Sequence, residues 1–175
     1  MLGGRGDAVV GLQFAENGAA GSETHYQFSI RADGAYALFH HAGGETSAVI
    51  NWSRSPAVKT AVGADNALEV VLVDRIIRCF INGRYVGGAR ATSPLSGGVS
   101  FLVENLARGR LGDFAAFNLD RAAAGAPTPG HVLFSDDLLT PGRLQVGGAA
   151  VCRASYDADG YVVENVASRA GAAPG

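Results

Sequence analysis

The residues best suited to ligand binding are aromatic side chains that stand next to polar ones. Trp52 lies beside Asn51 and close to Arg54, and Tyr36 shares a predicted strand with His40. An aromatic ring can pack against the C–H face of a sugar, while amide, imidazole and guanidinium groups bind its hydroxyls. Trp52, Asn51, Tyr36, His40 and Arg54 therefore form the candidate ligand-binding set. Packing of Trp52 in the core or at its rim is the competing interpretation, and the simpler one.

A second candidate is the segment Asp157-Ala158-Asp159-Gly160, which has two carboxylates and a glycine like part of a calcium-binding loop. Ca²⁺ takes about six to eight oxygen ligands, and later acidic ligands are missing from this segment. The pattern favours a turn. Asp157 and Asp159 are the only candidate metal ligands, with calcium as their ion, and no other cofactor is indicated.

Catalytic patterns are missing, so the sequence predicts a protein that is not an enzyme. Glycosidases place two carboxylates on one face at a short distance, and neither the pair Glu69 and Asp74 nor the pair Asp113 and Asp120 has that spacing. No histidine lies near a Gly-x-Ser-x-Gly nucleophile turn. Only two carboxylates that converge in a cleft would bring an enzyme back into consideration.

Composition excludes several other classes of protein. Of the 175 residues, 47% are apolar and 17% charged, which is typical of a folded domain rather than a disordered chain. A net charge of −2 provides no basic surface for nucleic acid or anionic lipid. No apolar run approaches the roughly 18 residues of a membrane span, and the first residues are turn-like rather than a signal peptide.

The two cysteines, Cys79 and Cys152, allow one disulfide. Cys79 lies in the apolar run Ile76–Ile81, where a buried free thiol is the favoured interpretation and a bridge to Cys152 the alternative.

Repeated short runs of Val, Ile, Phe and Tyr between Gly, Asn and Asp predict an all-β protein. Asn82-Gly83 is the strongest hairpin signal, because a type I′ turn needs positive φ at both central residues. Many short strands at close spacing predict an antiparallel β-sandwich or jelly roll. The predicted strands are Ala8–Phe14, His25–Arg31, Ala35–His40, Ser47–Trp52, Leu68–Asp74, Ile76–Ile81, Tyr85–Ala89, Val99–Val103, Asp113–Leu119, Val132–Phe134, Leu144–Val146, Ala150–Ala154 and Tyr161–Val166.

The predicted organisation has four parts. Residues 1–120 form the main body of the sandwich, 121–130 an Ala/Gly/Pro linker, 131–167 further strands and 168–175 a small-residue tail. The strands of 131–167 are too few to build a core alone, so they must complete either the same sandwich or that of a neighbouring subunit. The second arrangement would be a homo-oligomer.

Five segments in a fixed order resemble bacterial concanavalin A-like lectin/glucanase domains, the jelly-roll family that includes laminin-G-like modules. They are Tyr26–Tyr36, Val49–Ser53, Asn66–Val70, Phe80–Gly83 and Gly97–Phe101, and Gly112–Phe117 is similar to the closing strand of that family. The resemblance implies a concanavalin A-like jelly roll. It also implies a non-catalytic, lectin-like domain outside the cell or on its surface, which recognises carbohydrate or another surface ligand.

Segments that usually open such a domain stand at the end of this chain. Phe134–Leu138 resembles the opening turn, and Asp157–Glu164 resembles a later strand. A circular permutation, a cut through a tandem array, or donation of these strands to a neighbouring subunit would each explain the rotated order. Donation predicts the alternative function, a structural subunit that assembles into an oligomer or filament by exchange of its C-terminal strands.

Overall fold

The computed structural model describes residues 2–3, 6–19, 22–105, 108–120, 128–136, 147–148, 152–157 and 160–165. Their regular structure is entirely β, as predicted. None of these residues belongs to a helix that is long and apolar enough to cross a membrane. The strands are β1 (Leu2–Gly3), β2 (Val9–Asn17), β3 (Thr24–Arg31), β4 (Ala35–Ala42), β5 (Glu45–Arg54), β6 (Leu68–Val73), β7 (Ile76–Ile81), β8 (Arg84–Arg90), β9 (Gly98–Glu104), β10 (Arg108–Leu111), β11 (Phe114–Asp120), β12 (Thr128–Asp136), β13 (Gly147–Gly148), β14 (Cys152–Asp157) and β15 (Gly160–Asn165).

The strands form antiparallel sheets. The front sheet has the order β5-β4-β3-β2-β9, and the back sheet has the order β6-β7-β8. A second five-stranded sheet, β1-β10-β15-β14-β13, and a β11-β12 pair complete the described part. The C-terminal strands therefore pair with β10 and β11 of the same chain.

The core lies between the front and back sheets. Tyr26, Phe28 and Ile30 alternate along β3 and are at most 1% exposed, while Ile77 and Ile81 face them from β7 and are fully buried. Each such side chain contributes about 1.5–3 kcal/mol through the apolar surface it removes from water. The two sheets thus form the predicted β-sandwich; its jelly-roll connectivity stays a prediction.

The hairpins follow the local turn chemistry. Asn82 and Gly83 have φ of 52° and 75°, which confirms the type I′ turn between β7 and β8. Asp74 and Arg75 join β6 to β7 with φ of 48° and 65°, although Arg75 is an unusual residue for this conformation.

The C-terminal third differs in detail from the prediction. Strand β12 begins at Thr128, inside the predicted linker 121–130, because Thr128 and Pro129 pair with the end of β11. Strand β10 was not predicted. Residues 121–127, the predicted strand at 144–146 and the tail 168–175 lie outside the described residues.

Cys79 is a fully buried free cysteine. The buried-thiol prediction is confirmed, and the alternative of a bridge to Cys152 is wrong. Because the apolar surroundings penalise the thiolate, burial raises the pKa of Cys79 to about 12.

Candidate functional site

The outer face of the front sheet, away from the core, includes a row of small residues. The strand register places Gly11, Ser29 and Ala37 side by side across β2, β3 and β4. A Cβ at Gly11 would meet the Phe28 carbonyl oxygen at 2.5 Å, so only glycine fits there. A groove on the same face is lined by larger side chains, among them Gln27, Phe39 and Trp52.

Two polar residues of β3 that alternation predicts to point to solvent are covered on this face. Gln27 is 5% exposed and Ser29 is fully buried. The Gln27 amide nitrogen donates to the Ser29 hydroxyl at 3.0 Å. This hydrogen bond offsets the cost of burying the amide.

One wall of the groove is aromatic. The groove has a volume of about 330 Å³, and the rings of Trp52 and Phe39 meet in it edge to face at 5.7 Å between centroids. The guanidinium carbon of Arg31 lies 4.7 Å from the centre of the Trp52 ring, a cation–π contact. Arg31 is itself held by Asp33, with Nε to Oδ1 at 3.1 Å and Nη2 to Oδ2 at 2.5 Å. The Arg31 hydrogen bonds hold the pKa of the Asp33 carboxyl below its usual value. The contacts with Arg31 and Phe39 therefore hold the Trp52 ring in place without a ligand.

The predicted ligand-binding set does not form one site. Trp52 lies in the groove, whereas Arg54 is not among the residues that line it and donates to the Asp33 carbonyl oxygen at 2.9 Å. Asn51 is exposed and is not among the residues that line the groove.

Tyr36 and His40 lie on the core side of the sheet, away from Trp52. The Tyr36 hydroxyl donates to the Val86 carbonyl oxygen at 2.5 Å, and the His40 ring stacks on Tyr26 at 4.6 Å. Their register explains this, since both pair with residues of β3 that face the core.

The opposite end of the groove is acidic. Asp7 and Glu104 both line it, and burial raises the pKa of the Glu104 carboxyl. Asn105 closes this end by donating its amide to the Asp7 carbonyl oxygen at 3.0 Å. Sequence reasoning missed both carboxylates, because Asp7 and Glu104 are neighbours only through the pairing of β2 with β9.

A row of polar side chains, here called the polar ladder, crosses the outer face at the other end of the strands. It consists of Ser100, Gln13, His25, His41 and Thr46, one from each strand of the front sheet. Ser100 Oγ lies 3.1 Å from Gln13 Oε1, and Gln13 Nε2 lies 3.0 Å from His25 Nε2. The rings of His25 and His41 stack at 4.4 Å with 12° between their planes. Thr46 Oγ1 lies 2.9 Å from His41 Nδ1.

His41 links the polar ladder to the groove, because it belongs to both. Its Nε2 atom is buried and has no hydrogen-bond partner among the described residues. Burial, followed by the neighbouring histidines, lowers the pKa of His41. The His41 ring thus lines the groove, while its Nε2 atom is buried.

The predicted calcium ligands are only partly described. Asp157 ends strand β14 opposite Gly160, but its side chain and the whole of Asp159 lie outside the described residues. Within the part that the structure describes, no three His, Cys, Asp or Glu side chains come together to hold a metal ion.

No protein-family model matches the chain, and neither the curated proteins nor the solved structures include a match to it. The resemblance to concanavalin A-like domains therefore rests on the sequence motifs alone.

Proposed function

We propose that the groove of the front sheet binds carbohydrate and that the protein is a non-catalytic, lectin-like recognition domain. The observation that carries this proposal is the Trp52–Phe39 pair in a groove of about 330 Å³. That volume is at the lower end of the roughly 300–1,000 Å³ of small-molecule sites, which suits a short saccharide unit.

Each wall would contribute a different contact. Arg31 covers one face of the Trp52 ring, so the C–H face of a sugar packs against the free parts of Trp52 and Phe39. Glu104 accepts hydrogen bonds from sugar hydroxyls at the other side of the groove. Because salt bridges and ring contacts already fix the aromatic wall, little side-chain entropy is lost on binding. As part of the same proposal, the protein lies outside the cell or on its surface.

A glycan screen with a matched variant tests the proposal. Trp52 is the only tryptophan, so its fluorescence reports directly on ligand binding in the groove. We expect wild type to bind a subset of glycans and Trp52→Ala to lose at least tenfold in affinity for them. Tyr85→Ala is the control, because Tyr85 is an exposed aromatic residue of β8 in the back sheet and contacts Phe80. Equal binding by wild type and Trp52→Ala, or no binding to any glycan, would overturn the proposal.

Glycoside hydrolysis is a second candidate, because Asp7 and Glu104 line the same groove. A carboxyl with a raised pKa is suited to protonate a leaving oxygen while a second carboxylate acts as base or nucleophile. Release of reducing ends from a bound oligosaccharide, abolished by Glu104→Gln, would favour this function. If the oligosaccharide is unchanged after prolonged incubation, hydrolysis is refuted and recognition without catalysis remains the proposed function.

A further inference from the structure

The charged residues that line the groove are separated by sign. At the aromatic wall, the Arg31 guanidinium lies over the Trp52 ring and is paired with the Asp33 carboxylate, which balances its charge. At the acidic end, Asp7 and Glu104 line the groove. No basic side chain among the residues that the structure describes forms an ion pair with either of them. The acidic end therefore has two negative charges without a counter-ion from the described part of the chain.

The surroundings of Glu104 favour a cationic partner. Glu104 is only partly exposed, and its register partner on β2 is Val9, which is 2% exposed. Burial penalises the carboxylate and raises the pKa of Glu104. His41 also lines the groove but is neutral at pH 7, because burial lowers its pKa below the usual value. An ammonium group against Glu104 would offset the cost of burying its charge through a charge-assisted hydrogen bond.

The distance across the front sheet sets a minimum length for a ligand that contacts both ends. Trp52 belongs to the edge strand β5 and Glu104 to the edge strand β9, four strand spacings away. At about 4.8 Å per spacing, the two backbones are separated by roughly 19 Å. Even with both side chains directed inward, one sugar ring is too short to contact both residues. A ligand that does so has at least two rings.

We propose that the groove selects a saccharide of two or more units that carries a free amine, as in β-1,4-linked glucosamine. One ring packs against the aromatic wall, and the protonated amine of the next unit binds Glu104 at the acidic end. This inference rests on the proposed function, because it names the class of sugar that the same groove takes. The aromatic wall and the groove volume indicate a sugar, and the carboxylates determine its class.

The same charges discriminate against other sugars. A neutral disaccharide still donates its hydroxyls to Glu104, but it leaves the two negative charges without a counter-ion. An amine supplies both the hydrogen-bond donors and the positive charge. A uronic acid or a sulfated sugar would be repelled, because its charge has the same sign as those of Asp7 and Glu104.

Three disaccharides with the same β-1,4 linkage test the proposal, because they differ only at carbon 2 of each ring. The glucosamine disaccharide carries amines there, its diacetylated form carries acetamides, and cellobiose carries hydroxyls. Titration of wild type at pH 7 and low salt, followed by Trp52 fluorescence, should show the glucosamine disaccharide binding about tenfold more tightly than cellobiose. The diacetylated form should lack this advantage, since its acetamides are uncharged.

Glu104→Gln is the decisive variant, because it removes the charge while keeping the size of the side chain and a hydrogen-bond acceptor. It should reduce the preference for the glucosamine disaccharide over cellobiose to about twofold or less. Asp7→Asn is a second variant of the same end and should reduce the preference less, because Asp7 is exposed. Glu69→Gln is the matched control. Glu69 is an exposed carboxylate of β6 in the back sheet, so the same change in net charge should leave the preference as in wild type.

The outcomes separate this inference from the proposed function. Equal binding of the glucosamine disaccharide and cellobiose by wild type, or a preference that both Glu104→Gln and Asp7→Asn retain in full, would overturn amine selectivity and leave sugar binding intact. An equal loss of preference in Glu69→Gln would assign it to net charge and would also overturn the site at Glu104. Binding of none of the three sugars would overturn amine selectivity as well, and the glycan screen would then decide the proposed function.

Discussion

Among single residues, His41 makes stability depend on pH. Its pKa is lowered in the folded chain by burial and by the neighbouring histidines, so the unfolded chain binds more protons below about pH 7. The contribution of His41 to the free energy of unfolding should therefore be constant above pH 7.5. It should decrease as the pH falls through 6.5, until the lowered folded-state pKa is passed.

Urea unfolding at pH 7.5 and pH 5.5 measures this effect. His41→Gln should lose less stability than wild type over that interval, because its side chain no longer titrates. His40→Gln should also lose less stability than wild type, since burial lowers the pKa of His40 too. Equal losses in wild type and His41→Gln would show that other groups cause the acid sensitivity.

Cys79 gives a second prediction for a single side chain. Because the thiol is fully buried and burial raises its pKa to about 12, it should not react with thiol reagents in the native protein at pH 8. The measurement is labelling of Cys152→Ser with and without urea, where modification should appear only above the unfolding transition. Labelling of the native variant within minutes would contradict the burial.

The elements were largely predictable because their signals are local. Val, Ile and aromatic runs between turn residues located β2 to β9, and Asn82-Gly83 identified its own hairpin. The β-bulge of β2 at Ala15, which has φ of 55°, was not predictable, because alanine has no preference for positive φ. The same holds for β10, whose Arg-Gly-Arg-Leu sequence has little strand character and depends on pairing with β15.

The β7–β8 turn provides a prediction about one element. Gly83 has φ of 75°, and a Cβ there would meet no other atom, so an alanine would suffer only backbone strain. Gly83→Ala should lower the free energy of unfolding by about 1–2 kcal/mol. Gly112→Ala is the matched control, since a Cβ there also meets nothing, and no positive φ is required. Thermal or urea unfolding of both variants measures the difference. Equal free energies of unfolding for Gly83→Ala and Gly112→Ala would refute the strained turn.

For the whole molecule, the site was less predictable than the fold. Trp52 was identified by its chemistry, but its companions Phe39 and Arg31 come from other strands, and register alone decides which residues share its face. Tyr36 and His40 have side chains suited to ligand binding, but they lie on the core side of the sheet, away from Trp52. Asp7 and Glu104 line the same groove only because β2 pairs with β9.

Closure of the C-terminal strands within one chain is the prediction that concerns the whole molecule. Strands β14 and β15 form a hairpin that pairs with β10, and β12 pairs with β11, so the β-pairing needs no second copy. Light scattering should therefore give 17.9 kDa across a hundredfold dilution. Large assemblies that resist dilution would instead favour strand exchange and a structural role.

A designed disulfide distinguishes the two arrangements directly. The Cα atoms of residues 110 and 162 are register partners, and paired strands bring such atoms to about 4.5–5.5 Å, within the range of a disulfide. In a Cys152→Ser chain, Arg110→Cys with Val162→Cys should oxidise within one molecule and run as a monomer on a non-reducing gel. Each single-cysteine variant is the control for random crosslinking. A ladder of covalent oligomers from the double variant alone would mean that β15 pairs with β10 of another copy, and recognition by a monomeric sandwich would have to be abandoned.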